Sequence, residues 1–334
     1  MRIFPSGRAV FAILAMAFGL AALTLFIPTD PYLRWQLLGG TIHERSRWIY
    51  ERIHYDPTPV DVVVIGSSRM GAGIIAPRLA EETGLNVVNF SLPEAGRNIN
   101  YAIIDELLKT KNPRLIVIGV NEKPSRTGHS TWRYLAPTEI VLDPGYAGNI
   151  MYVPDVGFQP WRQLKLLAAG LSPETFGMRR SFDPADYAGP ALDITASIKL
   201  PDGTMKETEI PAAQAELERG VRKLEAGTRP PVLPARYADI EFGDERTYIR
   251  RIAALAQARG IKVAFLAIPY YTGPDTVQEA DFYRQYGPLW NAGFLSSHAE
   301  LYSDYAHLTR TGAAVLTDWL EPKVVAMLAK PQGG

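Results

Sequence analysis

The chain has 334 residues, with 35 basic and 35 acidic side chains and no cysteine. The length suffices for one sizeable core, and zero formal charge gives no electrostatic case for nucleic acid as a partner. Without cysteine there is no disulfide framework, no thiolate nucleophile and no cysteine-ligated metal.

Residues 9–27 read AVFAILAMAFGLAALTLFI, uncharged and almost wholly apolar. At ~1.5 Å per residue such a run nearly spans a hydrocarbon core ~30 Å thick. Arg2 and Arg8 precede it and Asp30 follows, so the positive-inside bias leaves the N-terminus in the cytoplasm and the rest of the chain outside. A cleaved secretory signal is the competing reading, but the run exceeds the usual apolar core of about 7–15 residues. The expectation is a single-pass anchor over residues 1–30 in the cytoplasmic membrane, with the remainder on the periplasmic face. Residues 31–59, rich in Trp, Tyr and Arg, suit a juxtamembrane neck or an ordinary helix packed on the domain.

From Val60 a regular alternation begins. VDVVVIG predicts a buried strand, and IIAPRLAEETG a helix stopped by Gly84. NVVNFSL predicts a second strand, residues 98–110 a second helix and PRLIVIGV a third strand. Strands of unbroken Val, Ile and Leu are covered on both faces, and strand–helix–strand order implies a parallel sheet. The pattern breaks over residues 123–243, an insertion with one hairpin (ITASIKL-PDG-TMKETEI) and one amphipathic helix (AAQAELERGVRKLEAG). It resumes with a helix ending at Gly260, the strand IKVAFLAIP, a helix over residues 279–290, a short last strand AELYSD and a closing helix over residues 311–329. The expected fold is α/β: a three-layer doubly wound parallel sheet over residues 60–330, interrupted once.

In such sheets ligands bind beyond the carboxyl ends of the strands. Those ends carry Gly66-Ser67-Ser68-Arg69, the stretch from Ser91 to Gly96, Asn121, and Asp304 to His307. A hydroxyl, an amide, a carboxamide and an imidazole with a carboxylate are what acyl transfer from an ester needs. Each has a structural alternative: a Gly-Ser-Ser turn, a helix cap at Asp304, a loop-satisfying Asn121. The other histidines lack the Asp-x-x-His spacing, no ligand cluster suggests a metal, and no phosphate-loop or dinucleotide pattern suggests a cofactor.

The set resembles the four blocks of the SGNH (GDSL-type) hydrolase superfamily. They are Val64-Ile-Gly-Ser-Ser68, Asn89-Phe-Ser-Leu-Pro-Glu-Ala-Gly96, Gly119-Val-Asn-Glu122 and Asp304-Tyr-Ala-His307. The resemblance implies a flavodoxin-like strand order and Ser68 as nucleophile, with Asp304 and His307 as its base system. It also implies the Ser68 N–H, the Gly96 N–H and the Asn121 side chain as oxyanion donors. Ser67 stands where the family has aspartate and leaves a second candidate hydroxyl; Glu122 replaces an aspartate; Pro93-Glu94 is unusual. With an N-terminal anchor, Gly-Ser-Ser is similar to the cell-envelope acylation branch, of the teichoic-acid D-alanylation and alginate O-acetylation type. That branch implies a serine esterase or O-acyltransferase, moving acetyl onto or off an exported polysaccharide. Its partners would be an acyl-bearing glycan and a membrane-bound acyltransferase. The competing reading is a non-catalytic envelope scaffold with a degenerate site.

Overall fold

The computed structural model describes residues 7–147, 149–200 and 202–329, and only the backbone of residues 13, 14, 17, 18, 20 and 21. Five parallel strands form the central sheet: β1 (Val62–Ile65), β2 (Val87–Asn89), β3 (Leu115–Val120), β6 (Lys262–Ala267) and β7 (Leu289–Asn291). Their order is β2-β1-β3-β6-β7. The hairpin strands β4 (Ser197–Lys199) and β5 (Met205–Glu207) pair antiparallel in a separate two-stranded sheet. Its expected Pro-Asp-Gly turn begins at Pro201, outside the described residues.

β1 and β3 are apolar throughout because both faces are covered. Val63 and Ile65 of β1, with Ile116 and Ile118 of β3, point into one core, beside Ile49, Ile53, Ile99 and Ile103. Val62 and Val64, with Leu115 and Val117, point into the other, beside Leu79, Leu316 and Leu320. Period-two side-chain alternation thus divides the strands between two helical layers. The first layer holds α2 (Pro31–Gln36), α3 (Ser46–His54), α6 (Arg97–Leu107) and the helix Gly243–Ala258. The second holds α4 (Ser68–Gly73), α5 (Ala76–Thr83) and the closing helix Arg310–Ala329.

The membrane anchor is corrected. Among the described residues no helix is long and apolar enough to cross a membrane. The apolar run is not one helix: α1 (Gly7–Thr24) has 18 residues, about 27 Å at ~1.5 Å per residue, short of a ~30 Å core. Leu25, Phe26 and Ile27 leave it in turns, their N–H groups bonded to the carbonyls of Ala22, Leu23 and Thr24. α1 packs against the insertion helix Tyr152–Leu171, and Gln163 donates to the Ile27 carbonyl. The single-pass placement, the periplasmic face and the membrane as partner fall with the anchor. Arg2, invoked for orientation, lies outside the described residues.

Of the two readings of residues 31–59, the packed helix fits: α2 and α3 join the core. Tyr32, Trp35, Ile49 and Ile53 are fully buried. Arg52 is buried too, its guanidinium donating to the carbonyls of Thr58, Pro59 and Pro190 at 2.8–3.1 Å. Buried arginines satisfied by carbonyls and aromatic rings look, as letters, like an interfacial belt.

Two further differences bear on the site. The expected last strand at AELYSD is a 3₁₀ turn (Ala299–Leu301) and a lone Tyr302–Leu308 bridge. The fifth strand is Leu289–Asn291, in residues expected to be helical, where the helix is only Ala280–Arg284. The insertion also holds a 20-residue helix, Tyr152–Leu171, whose internal Pro160 hides it from a periodicity reading.

Candidate functional site

The chain leaves β1 to build β2 on one side and returns to build β3 on the other, so the crevice beyond β1 and β3 is the sheet's switch point. Ile65 pairs with Ile118. Ser68 and Asn121 each lie three residues past that pair, at the same edge. Gly66 permits the turn: a Cβ there would stand 2.6 Å from Met70 Cγ and 3.2 Å from Gly119 Cα. Ser67 then holds the N-cap position of α4 in extended conformation, and Ser68 is the first helical residue. Asn89 at the end of β2 donates to the carbonyls of Met70 and Ile74, at 2.9 and 3.2 Å, fixing α4 from beneath.

The Ser68 hydroxyl lies 2.8 Å from His307 Nε2 across almost the whole sequence. His307 Nδ1 is 2.9 Å from both Asp304 carboxylate oxygens. The short loop holding this pair is closed by local bonds. The N–H groups of Ala306 and His307 donate to Asp304 Oδ1 at 2.8 and 2.9 Å, and the Ser303 N–H donates to the His307 carbonyl at 2.9 Å. Burial by itself would raise the Asp304 carboxyl. The His307 hydrogen bond and charge, the Ala306 amide and the Lys206 ammonium outweigh it and bring it down to about 2. Lys206, on β5 of the insertion, stands 3.6 Å from Asp304 Oδ2. Ser67 makes no side-chain hydrogen bond to a described residue and does not meet His307.

The residues following the two switch-point positions are joined. Arg69 Nη1 lies 2.7 and 2.8 Å from the Glu122 carboxylate oxygens, which also accept the Tyr270 N–H at 3.1 Å. The half-buried pair ties the start of α4 to the end of β3, so the Ser68 and Asn121 loops are held to one another.

Gly96 ends the second loop at φ +151°, a left-handed-side conformation open to glycine. A Cβ there would stand 2.3 Å from His129 N. The buried His129 ring supports this loop. Its Nδ1 accepts the Thr131 N–H at 3.1 Å, which leaves Nε2 protonated to donate to the Pro93 carbonyl. Burial, with the neighbouring His43 charge, lowers His129 to about 4, so it is neutral at physiological pH. Gly96→Ala is therefore expected to destabilise the fold by about 2–4 kcal/mol through strain and overlap. A thermal or urea melt reads this directly, and an unchanged midpoint would refute the geometry.

The Ser68 N–H, the Gly96 N–H and the Asn121 carboxamide donate to no other described residue. Beside Ser68 opens a cavity of about 240 Å³, walled by Pro93 and by Ile194 and Ile198 of the insertion hairpin. The hairpin is pinned to the His307 loop: the Ala212 N–H donates to the Tyr302 carbonyl at 2.9 Å and the Arg310 N–H to the Thr208 carbonyl at 3.1 Å. A larger cavity, about 810 Å³, opens between the insertion and the helix Gly243–Ala258 around Arg126, Glu241 and Asp244. It does not include Ser68. Sequence reading missed Lys206, Arg69–Glu122, His129 and the cavity walls. None has a local signal, because each depends on a contact across the chain.

No family model matches the chain, and no curated protein matches it.

Proposed function

We propose that the protein is a serine-dependent acyl-ester hydrolase of SGNH type, acting on short acyl esters such as acetates. Ser68 is the nucleophile, His307 the general base and Asp304 the residue that orients the imidazole and balances its charge. The observation that carries the reading is the continuous chain of contacts from Ser68 Oγ to His307 Nε2 to Asp304, at 2.8 and 2.9 Å. With Nδ1–H held by a carboxylate, Nε2 is left as acceptor, and a hydroxyl 2.8 Å away can pass its proton to it as it attacks.

The steps balance. Ser68 Oγ adds to the ester carbonyl while its proton moves to His307. The SGNH resemblance assigns the tetrahedral oxyanion to the N–H groups of Ser68 and Gly96 and the Asn121 carboxamide. His307 returns the proton to the departing alkoxide, leaving an acyl-serine. Water, deprotonated by His307, repeats the sequence and frees the carboxylic acid. A hydroxyl acceptor in place of water makes the same site an O-acyltransferase. The preference for transfer, the glycan acceptor and the membrane-bound acyltransferase partner all rested on the anchor, so hydrolysis is the simpler reading. The small cavity suits a short acyl chain.

A fluorophosphonate probe tests the chemistry. It is expected to label one residue, Ser68, identified by peptide mass, and His307→Ala should abolish labelling. Labelling at Ser67, or none under conditions that label a control esterase, would overturn the assignment in favour of a binding protein.

A further inference from the structure

We infer that the Ser68 site selects acyl esters that carry an anionic group, a carboxylate or a phosphate, and that Arg45 is the residue that recognises it. This rests on the ester reading of Ser68 for its catalytic part, but the anion site itself stands on separate observations.

Arg45 lies in the loop that leads into α3 and lines the same cavity as Ser68. It has no carboxylate partner among the described residues. Its Nε is fully buried with no hydrogen-bond partner. Its Nη2 approaches within 3.8 Å of the point a Cβ on Gly71 would occupy, and Gly71 is itself a wall of the cavity. On that same side of Gly71 lies Ser91, whose fully buried Oγ also has no partner. A second cation in the lining, Lys199, is already neutralised by Glu44 at 2.8 Å. The cavity therefore holds one uncompensated positive charge.

A partly buried guanidinium whose Nε has no partner is costly unless something completes it. Burial lowers Arg45 to about 10, so it remains charged at neutral pH. Other interior arginines of this protein have their protein partners: Arg97 meets Glu245 at 2.8 Å, and Arg52 meets three carbonyls. Arg45 differs in facing the space beside the nucleophile. A planar fork of N–H donors matches an oxyanion, with charge-assisted bonds of roughly twice ordinary strength. The nearby hydroxyl of Ser91 fits the same ligand, and the one carboxylate in the described lining, Glu44, is engaged by Lys199.

The test compares kcat/KM for four esters: neutral phenyl acetate, 4-acetoxybenzoate, 4-acetoxyphenyl phosphate and monophenyl succinate. The first three share the acetyl group and separate carboxylate from phosphate on the alcohol side. The fourth places the carboxylate on the acyl side. The full-length protein is expected to prefer at least one anionic ester over phenyl acetate by about tenfold or more, equivalent to about 1.4 kcal/mol. In Arg45→Gln that ratio should collapse toward unity, mainly through KM, and Arg45→Lys should give an intermediate ratio. Equal losses on neutral and anionic esters would make Arg45 structural and overturn the proposal, as would a wild type with no anionic preference. Calorimetric binding of benzoate and phenyl phosphate to Ser68→Ala isolates the anion site from turnover. Affinity should fall about tenfold when Arg45→Gln is added, and no binding in Ser68→Ala sinks the anion site. If Ser68→Ala still cleaves esters while anion binding depends on Arg45, the nucleophile assignment fails and the anion site stands.

Discussion

Ser68→Ala is expected to lower kcat on p-nitrophenyl acetate by at least about 10³-fold, whereas Ser67→Ala should stay within about tenfold of wild type. The two hydroxyls are adjacent in sequence but differ in what they face. Ser68 Oγ is 2.8 Å from His307 Nε2, while Ser67 occupies the N-cap position with no side-chain bond to a described residue. Only the first can lose its proton to the imidazole as it attacks. The alanine leaves a small void at a half-buried position and does not disturb the Asp304 contacts, so folding should be retained. His307→Ala should cost about as much as Ser68→Ala, and the double variant little more, since residues that act as one unit are not additive. Steady-state release of p-nitrophenolate reads the four variants against wild type. Full activity in Ser68→Ala, or its loss in Ser67→Ala alone, would refute the assignment.

What the letters reveal and what they conceal follow from how each feature is stabilised. β1 and β3 were legible because strands covered on both faces must be apolar at every position, as VVVI and LIVIGV are. Ser68, Gly96, Asn121, Asp304 and His307 stood out because a parallel sheet sends the loops after its strands to one edge. Asp304 and His307, by contrast, directly follow no sheet strand. They sit in a loop closed by the Tyr302–Leu308 bridge and by amides donated to Asp304. Leu289–Asn291 was missed because three residues between turns carry too little periodicity to read. Hydropathy measures the length of an apolar run but not where its helix stops, and α1 stops at Thr24. The burial of Trp35, Arg52 and Arg45's Nε depends on partners far away in sequence. For that reason residues 31–59, read as neck or packed helix, gave no hint that they supply a wall of the site.

Asp304→Asn should have two separable effects. The first is catalytic. A carboxylate can only accept, so it holds the proton on Nδ1 and leaves Nε2 free to take the serine proton. An asparagine can present its amide N–H to Nδ1, which moves the ring proton to Nε2 and removes the base. A loss in kcat of about 10²–10⁴ is expected on p-nitrophenyl acetate near neutral pH, with little change in KM. The second is a stability effect with a definite sign. The folded carboxyl is depressed from 3.8 to about 2, so the folded state binds its proton less readily than the unfolded chain. Its contribution is then fully present above about pH 5 and is lost as pH falls through 4 toward 2. The shift corresponds to on the order of 2 kcal/mol for a carboxylate that is mostly shielded from water. Urea melts of wild type and Asp304→Asn should therefore differ by a constant amount between about pH 5 and 8. The gap should narrow as the solution is acidified through the same window. Lys206→Met removes the ammonium 3.6 Å from Asp304 and should move that window upward, toward the ordinary carboxylate range. A gap that widened on acidification would mean that the folded carboxyl is raised by its burial, and His307 would then lack the anion needed to balance its charge.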